Sequence, residues 1–285
     1  MPDWMPRGKA MAFDRLTNFD GRLRQEPPFR LFARYAVKRF GNSIREKARW
    51  DAIARPHYLA GILAAADQAA QEKVETICAI EFGVARGDGL VTMQEYAAAV
   101  ERETGIRVLV YGFDSGEGLP GLDGGFRDHP DQWRSGDYRM NEAALRAQLT
   151  SSTELVLGDV RETVPRFVDE TQPAPVGFLA MDLDLYSSTQ AALQILSLPK
   201  KRMLRRVPMY FDDVRYFFNH RFAGELLAIN EFNDLVEDTK IDVWRGLSDG
   251  RVFYESPWLR KMYVAHDLRA ISDVKLMRAA ATVVP

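Results

Sequence analysis

Short apolar, β-branched runs alternate along this chain with longer stretches of helical periodicity, and that alternation predicts a parallel sheet with right-handed crossovers. The strand-like runs are Ile77-Cys78-Ala79-Ile80, Arg107 to Asp114, Phe178 to Asp184, Pro208 to Asp213, Ile241 to Trp244 and Lys261 to Ala265. Helical spacing marks segments near 90–104, 141–150, 187–198 and 222–236. Ahead of them, Ile44 to Gln71 is alanine-rich and follows Asn42-Ser43, a suitable N-cap, so it reads as one continuous helix. Farther upstream Phe29, Phe32, Ala36 and Phe40 recur at helical spacing, with Arg30, Arg34 and Lys38 as a second row. Such a helix is expected to pack on its own domain or on a twin subunit, rather than on an anionic surface. Residues 1 to about 28, rich in Pro, Gly and charge, read as an arm. The expected organisation is an arm and helical extension over 1–72, then an α/β domain over 73–285.

Composition narrows the class. With a net charge of −2 and a pI near 6.2, the chain lacks the basic excess of a nucleic-acid-binding domain. Its single cysteine, Cys78, sits in the first strand and reads as a small buried hydrophobe. No run approaches the ~18 apolar residues of a membrane span. The stretch Met1 to Arg7 lacks an apolar signal core. A soluble, cytoplasmic protein is the expectation.

The chemistry gathers where strands end. Glu81-Phe82-Gly83-Val84-Ala85-Arg86-Gly87-Asp88-Gly89 follows the first strand and leads into a helix. Gly83, Gly87 and Gly89 suit a sharp turn lying close to a ligand. A phosphate-bearing dinucleotide would be repelled by Glu81 at the strand tip, whereas a nucleoside carrying a cationic amino-acid end would be welcomed. S-adenosylmethionine is such a ligand. The second strand ends in Asp114, about 30 residues after the first glycine, where a carboxylate can accept ribose hydroxyls or simply cap the turn that follows.

Two further strands end in acids, Asp182-Leu183-Asp184 and Asp212-Asp213. Parallel strands expose their carboxyl ends to one crevice, so these acids should meet there. Strand alternation places Asp182 and Asp184 on one side and Asp212 and Asp213 on opposite sides, unless the chain has already left the sheet. Carboxylates crowded together protonate or bind a hard divalent cation, and an all-oxygen set suits Mg²⁺. One acid of each pair, Asp184 and Asp213, is also placed to cap the next helix.

Five segments in this order resemble the macrocin O-methyltransferase family: Glu81 to Gly89; Tyr111 to Ser115 with Glu117-Gly118-Leu119-Pro120; Gly158-Asp159-Val160 with Thr163-Val164-Pro165; Met181 to Thr189; and Phe211-Asp212-Asp213. That resemblance covers roughly residues 75 to 270. It implies a Rossmann-like class I methyltransferase fold, a mostly parallel seven-stranded sheet flanked by helices and closed by an antiparallel final strand. It implies methyl transfer from S-adenosylmethionine to a hydroxyl of a small molecule such as a sugar or glycosylated natural product. Glu81, Gly83, Gly87, Gly89, Asp114 and Ser115 would then hold the donor, with Asp159 near its adenine. Asp182, Asp212 and Asp213 would hold the cation, and an acid of the Asp182/Asp184 set would be the general base. The glycine turn that family members carry before the last acid-tipped strand is replaced here by Pro199-Lys200-Lys201-Arg202-Met203-Leu204-Arg205-Arg206, read as a solvated basic turn.

Leu119 to Asn141 is too long for an ordinary turn and leaves a strand's carboxyl end, so it is expected to overhang the crevice as a lid, with Trp133 and Tyr138 able to stack on a ring. His220, seven residues after Asp213, is near enough in sequence to face the substrate. A homodimer or higher homo-oligomer through the N-terminal helices is expected. Two other functions compete. A short-chain NAD(P) oxidoreductase shares the glycine spacing but needs a Tyr-x-x-x-Lys pair, and no tyrosine beyond Gly89 has a lysine four residues on. A non-catalytic nucleoside-binding scaffold would explain the lost glycine turn.

Overall fold

The computed structural model describes residues 28–171, 173–199, 201–215 and 219–274; nearly all of the expected arm lies outside them. Seven strands form one sheet in the order β3-β2-β1-β4-β5-β7-β6. They are β1 (Thr76–Phe82), β2 (Arg107–Asp114), β3 (Thr153–Leu157), β4 (Val176–Met181), β5 (Arg206–Phe211), β6 (Thr239–Val243) and β7 (Met262–Asp267). Strands β1 to β5 pair in parallel, and β7 runs antiparallel to both β5 and β6. This is the Rossmann-like, mostly parallel seven-stranded α/β architecture expected from the sequence. Helices are α1 (Pro28–Phe40), α2 (Ile44–Arg49), α3 (Pro56–Glu72), α4 (Asp88–Thr104), α5 (Glu142–Arg146), α6 (Val160–Arg166), α7 (Tyr186–Leu193), α8 (Gly224–Leu235) and α9 (Leu268–Ser272). No helix among the described residues is long and apolar enough to cross a membrane.

Strand β4 is buried along its whole length, as a central parallel strand covered on both faces must be. Its apolar run was legible for that reason. By contrast β3 is half-buried at the sheet's edge, its alternation is weak, and sequence reading assigned neither it nor α6. The helix expected over 44–71 is in fact two. Pro56 disfavours a helical Arg55; Asp51 and Arg55 take left-handed conformations (φ 47° and 41°), and the chain turns before α3 begins. Tyr58, Leu59, Ile62 and Ala65 of α3 are fully buried, so the last helix of the expected extension packs into the main core.

Two polar clamps hold the periphery. Buried Asp51 accepts from Arg251 (2.8 Å), Ser256 (2.8 Å) and the Trp258 indole (3.0 Å), tying the α2–α3 turn to the segment before β7. Glu72 at the end of α3 accepts from the Arg205 backbone (3.0 Å) and lies 3.2 Å from its guanidinium, while Lys201 reaches Asp238 and Thr239. The basic stretch before β5 is therefore a bracket on its neighbours rather than a solvated turn. Helix α1 meets its own domain through its basic row. Arg30 and Arg34 lie over the Tyr254 and Phe253 rings at 5.7 and 5.4 Å, and Phe29, Phe32 and Phe40 are each at least 68% exposed.

Candidate active site

A cavity of about 460 Å³ opens beyond the carboxyl ends of all five parallel strands. Its walls are Gly83 and Ala85 after β1, Asp114 and Ser115 at β2, Gly158 to Val160 after β3, Asp182 to Asp184 after β4, and Asp212 and Asp213 after β5. The crevice at the ends of such strands is where α/β sheets bind ligands.

Along the β1–β2 side the glycine turn is built around Asp114. Its Oδ2 accepts from the Val84 and Ala85 amides at 2.9 Å each, and its Oδ1 from Gly116 N at 2.6 Å. Three of a carboxylate's roughly four acceptor positions are thus committed to the backbone. These bonds are those of a residue that organises the turn, and they leave one acceptor position over. Gly83, at φ +86°, lets β1 and β4 touch, since a Cβ there would lie 1.8 Å from the Asp182 carbonyl oxygen. Gly89 makes room for Glu81, whose Oε1 would lie 1.8 Å from an added Cβ. Gly87, the N-cap of α4, packs against Leu145. Gly87, Gly89 and Glu81 are off the cavity wall.

Glu81 is 2% exposed. Tyr58 Oη donates to its Oε1 at 2.5 Å, and its Oε2 has no partner among the described residues. Burial pushes this carboxyl up to about 7, against the opposing pull of the Tyr58 hydrogen bond and of Arg55. Ser115 donates to Gly118 O (2.7 Å) and accepts from Glu117 N (3.1 Å), closing the turn after β2. Asp159 caps α6, accepting from Arg161 N at 2.8 Å. Hydrogen bonds from the Arg161 guanidinium hold its carboxyl below the ordinary range.

The other half of the cavity is acidic. β4 ends at Met181 and β5 at Phe211, so all four aspartates lie beyond the pleat and strand alternation does not govern them. Asp182, Asp212 and Asp213 each bring a carboxylate oxygen within 4.8 Å of the others. Asp184, left-handed at φ 61°, lies against Asp213. It does not cap α7, whose N-cap is Leu185 without a side-chain bond. Burial, then Asp213 and Asp182, push Asp184 up to about 9. Burial, then Asp212, push Asp213 up to about 7, and burial with its acidic neighbours raises Asp182 well above the carboxylate range. Asp212 departs from this pattern. Burial alone would raise it, but Lys261 Nζ sits 2.9 Å from its Oδ1, Tyr210 Oη donates to the same oxygen, and together they hold it below the ordinary value.

Beneath this group Glu225 is fully buried, accepts from Asp213 N at 2.8 Å, and is raised by burial and by Asp213. Asp213 Oδ2 and Glu225 Oε1 have no hydrogen-bond partner among the described residues. Unpartnered buried carboxylate oxygens beside two other carboxylates suit a hard divalent cation with oxygen ligands. The residues present fit such an ion.

The expected overhang supplies the outer wall through Leu119, Pro120, Trp133 and Tyr138. Fully buried Asp128 anchors it, accepting from Gly124 N (2.6 Å), Ser187 N (2.9 Å) and Ser187 Oγ (3.1 Å) on the first turn of α7. His220 does not face the cavity as expected. It is exposed and sets its ring edge-on to His129, 5.2 Å between centroids. Sequence reading missed Arg55, Tyr58, Tyr210, Glu225 and Lys261. Glu225 resembles any surface acid in a helix's first turn, and Lys261 any charge before a strand; only the packed fold brings them here.

No family model matches the chain, and no curated protein matches it. Among solved structures it is similar to CalS11, a calicheamicin methyltransferase, at 22% identity over 78% of this chain and 90% of that one, with a TM-score of 0.49. It is similar to the O-methyltransferase NovP at 19% identity over 74% and 79%, with a TM-score of 0.49. The plantazolicin methyltransferase BpumL in complex with SAH shares 10% identity over 78% and 86%, with a TM-score of 0.35. Identities this low say nothing about chemistry, which the residues of the site must supply.

Proposed function

We propose that this protein is an S-adenosylmethionine-dependent O-methyltransferase that methylates a hydroxyl of a small molecule, a sugar or glycosylated natural product being the favoured class, with a divalent cation held by Asp182, Asp212 and Asp213. One observation carries the reading: a single cavity has a glycine turn built around Asp114 on one side and three carboxylates within 4.8 Å of one another on the other. The donor's nucleoside fits the first half. The remaining acceptor of Asp114 takes a ribose hydroxyl, Ser115 lies beside it, and Asp159 with Val160 borders the adenine. Trp133 and Tyr138 offer ring faces to either ligand.

Methyl transfer breaks the sulfonium carbon–sulfur bond, forms a carbon–oxygen bond and releases the hydroxyl proton. Holding donor and acceptor in line contributes on the order of 7–11 kcal/mol. A bound divalent cation supplies charge stabilisation of the acceptor oxygen and relieves repulsion among the acids. Asp182 and Asp184 are the carboxylates placed to take the proton. The overhang anchored by Asp128 excludes water from the reacting atoms.

The test is methyl transfer from labelled donor to a panel of sugar hydroxyls, with and without EDTA and Mg²⁺, in wild type, Asp182→Asn and Asp212→Asn. Each substitution is expected to lower kcat by 100-fold or more while S-adenosylhomocysteine still binds. Full turnover in chelator would remove the cation from this reading, and a protein to which S-adenosylhomocysteine does not bind would remove the donor.

A further inference from the structure

Strand β7 runs antiparallel to β5, with Met262 opposite Tyr210, so it begins where β5 ends. Lys261, the residue before Met262, is thereby delivered to the β5 tip beside Asp212, and it lines the cavity together with the acids. The turn that carries it, Pro257–Lys261, is fixed to the domain: Trp258 and Leu259 are buried, and the Trp258 indole donates to Asp51 at 3.0 Å. A cation at this place follows from the topology and from an anchored backbone.

Its ammonium is directed at one oxygen. Lys261 Nζ lies 2.9 Å from Asp212 Oδ1, and Tyr210 Oη donates to the same atom. The Tyr210 ring is held in turn, stacked on buried His57 at 3.9 Å between centroids, with Lys261 Nζ 5.9 Å from the Tyr210 centroid. An ionised carboxylate has about two acceptor positions on each oxygen, and both of those on Oδ1 are taken.

Asp212 is also one of three acids whose oxygens come within 4.8 Å of one another. An ion drawn to that group meets the ammonium whichever oxygen of Asp212 it uses. On Oδ1 it must displace Nζ. On Oδ2 it lies across one carboxylate from a second positive charge, and like charges so close repel strongly where water is partly excluded. A lysine is suited to yielding, since it is a point charge on a flexible stem rather than a planar fork. The Lys261 and Asp212 side chains are also partly exposed, which makes their ion pair a weak one.

We propose that Lys261 is a built-in competitor of the divalent cation for Asp212, so that the ion is an exchangeable component of the site rather than a permanent one. This rests on the cation reading above and adds to it the residue that sets the ion's affinity.

Binding of the ion alone, with no turnover, tests the assignment. Dissociation constants for Mn²⁺ and Mg²⁺ would be measured by calorimetry on the full chain, stripped with EDTA and dialysed, at one fixed alkaline pH in wild type, Lys261→Met, Lys261→Gln and Lys261→Arg. The two neutral variants are expected to bind both ions about tenfold more tightly than wild type, and Lys261→Arg no more tightly than wild type. Glutamine keeps a hydrogen-bond donor without the charge, so agreement between the two neutral variants assigns the effect to charge. An unchanged dissociation constant for S-adenosylhomocysteine shows that each variant keeps the cavity folded. Weaker or unchanged ion binding in the neutral variants overturns the proposal and leaves Lys261 as a residue that only orders Asp212. Equal tightening in Lys261→Arg overturns it too, since the charge is then not the cause. Failure of wild type and both neutral variants to bind either ion, while S-adenosylhomocysteine still binds, overturns the cation reading itself.

Discussion

Four carboxyls raised by burial share this site, and their combined titration has a sign that can be worked out. Asp184 moves from an ordinary 3.8 to about 9 and Asp213 to about 7, while Asp182 and Glu225 are raised well above their ordinary values. Between the ordinary and the raised values the folded protein holds protons that the unfolded chain has released. Stability then falls as pH rises. Without a cation, the melting temperature is expected to decline from about pH 5 to pH 9, and Mg²⁺ is expected to restore it most at the alkaline end. Melting curves across that range in EDTA and in Mg²⁺ check this, and a flat or rising profile in EDTA contradicts it. Asp212 works in the opposite sense, since Lys261 and Tyr210 keep it ionised. At this scale the strand-tip acids were legible because the sequence displays them. Their protonation was not, because it depends on Lys261, Tyr210 and Glu225, which reach the group from distant segments.

Elements beyond the sheet are held by few but buried polar contacts. Asp51, 3% exposed, gathers three donors from the segment before β7. Removing one partner of a buried ion pair leaves the other charge uncompensated, at about 3–5 kcal/mol. Asp51→Ala is therefore expected to lower unfolding stability by about that amount, read by urea denaturation with an unchanged m-value. A loss under 1 kcal/mol would show that Arg251 finds another partner or water. Helices α4, α7 and α8 and the long central strands were readable from periodicity. The α2–α3 break was not weighed, although Pro56 signals it, and β3 was missed because an edge strand need not alternate strongly.

For the molecule as a whole, α1 presents a question of surface. Phe29, Phe32, Tyr35 and Phe40 are 68–76% exposed, leaving on the order of 500 Å² of aromatic surface. That is most of the roughly 800 Å² per partner a standard interface buries. A second copy of this chain is expected to cover it through the same face. Light scattering after size exclusion should give a dimer or larger for wild type and a monomer for Phe32→Ser/Phe40→Ser; a monomeric wild type would contradict the expectation. The helical period of α1 came from the sequence, but the side that packs did not, because arginines over aromatic rings competed successfully with the aromatic row for the domain's surface.

The same division runs through the protein. Local order is written in the chain by itself: apolar runs that must be buried on both faces become central strands, glycines and acids at their ends mark the crevice, and five parallel tips must open to one side. Which oxygens converge and which carboxyls keep their protons were decided only in three dimensions. Those depend on distances and burial among Arg55, Glu81, Asp182, Asp212, Glu225 and Lys261, and no spacing along a sequence encodes the dielectric or the geometry of groups brought together by folding.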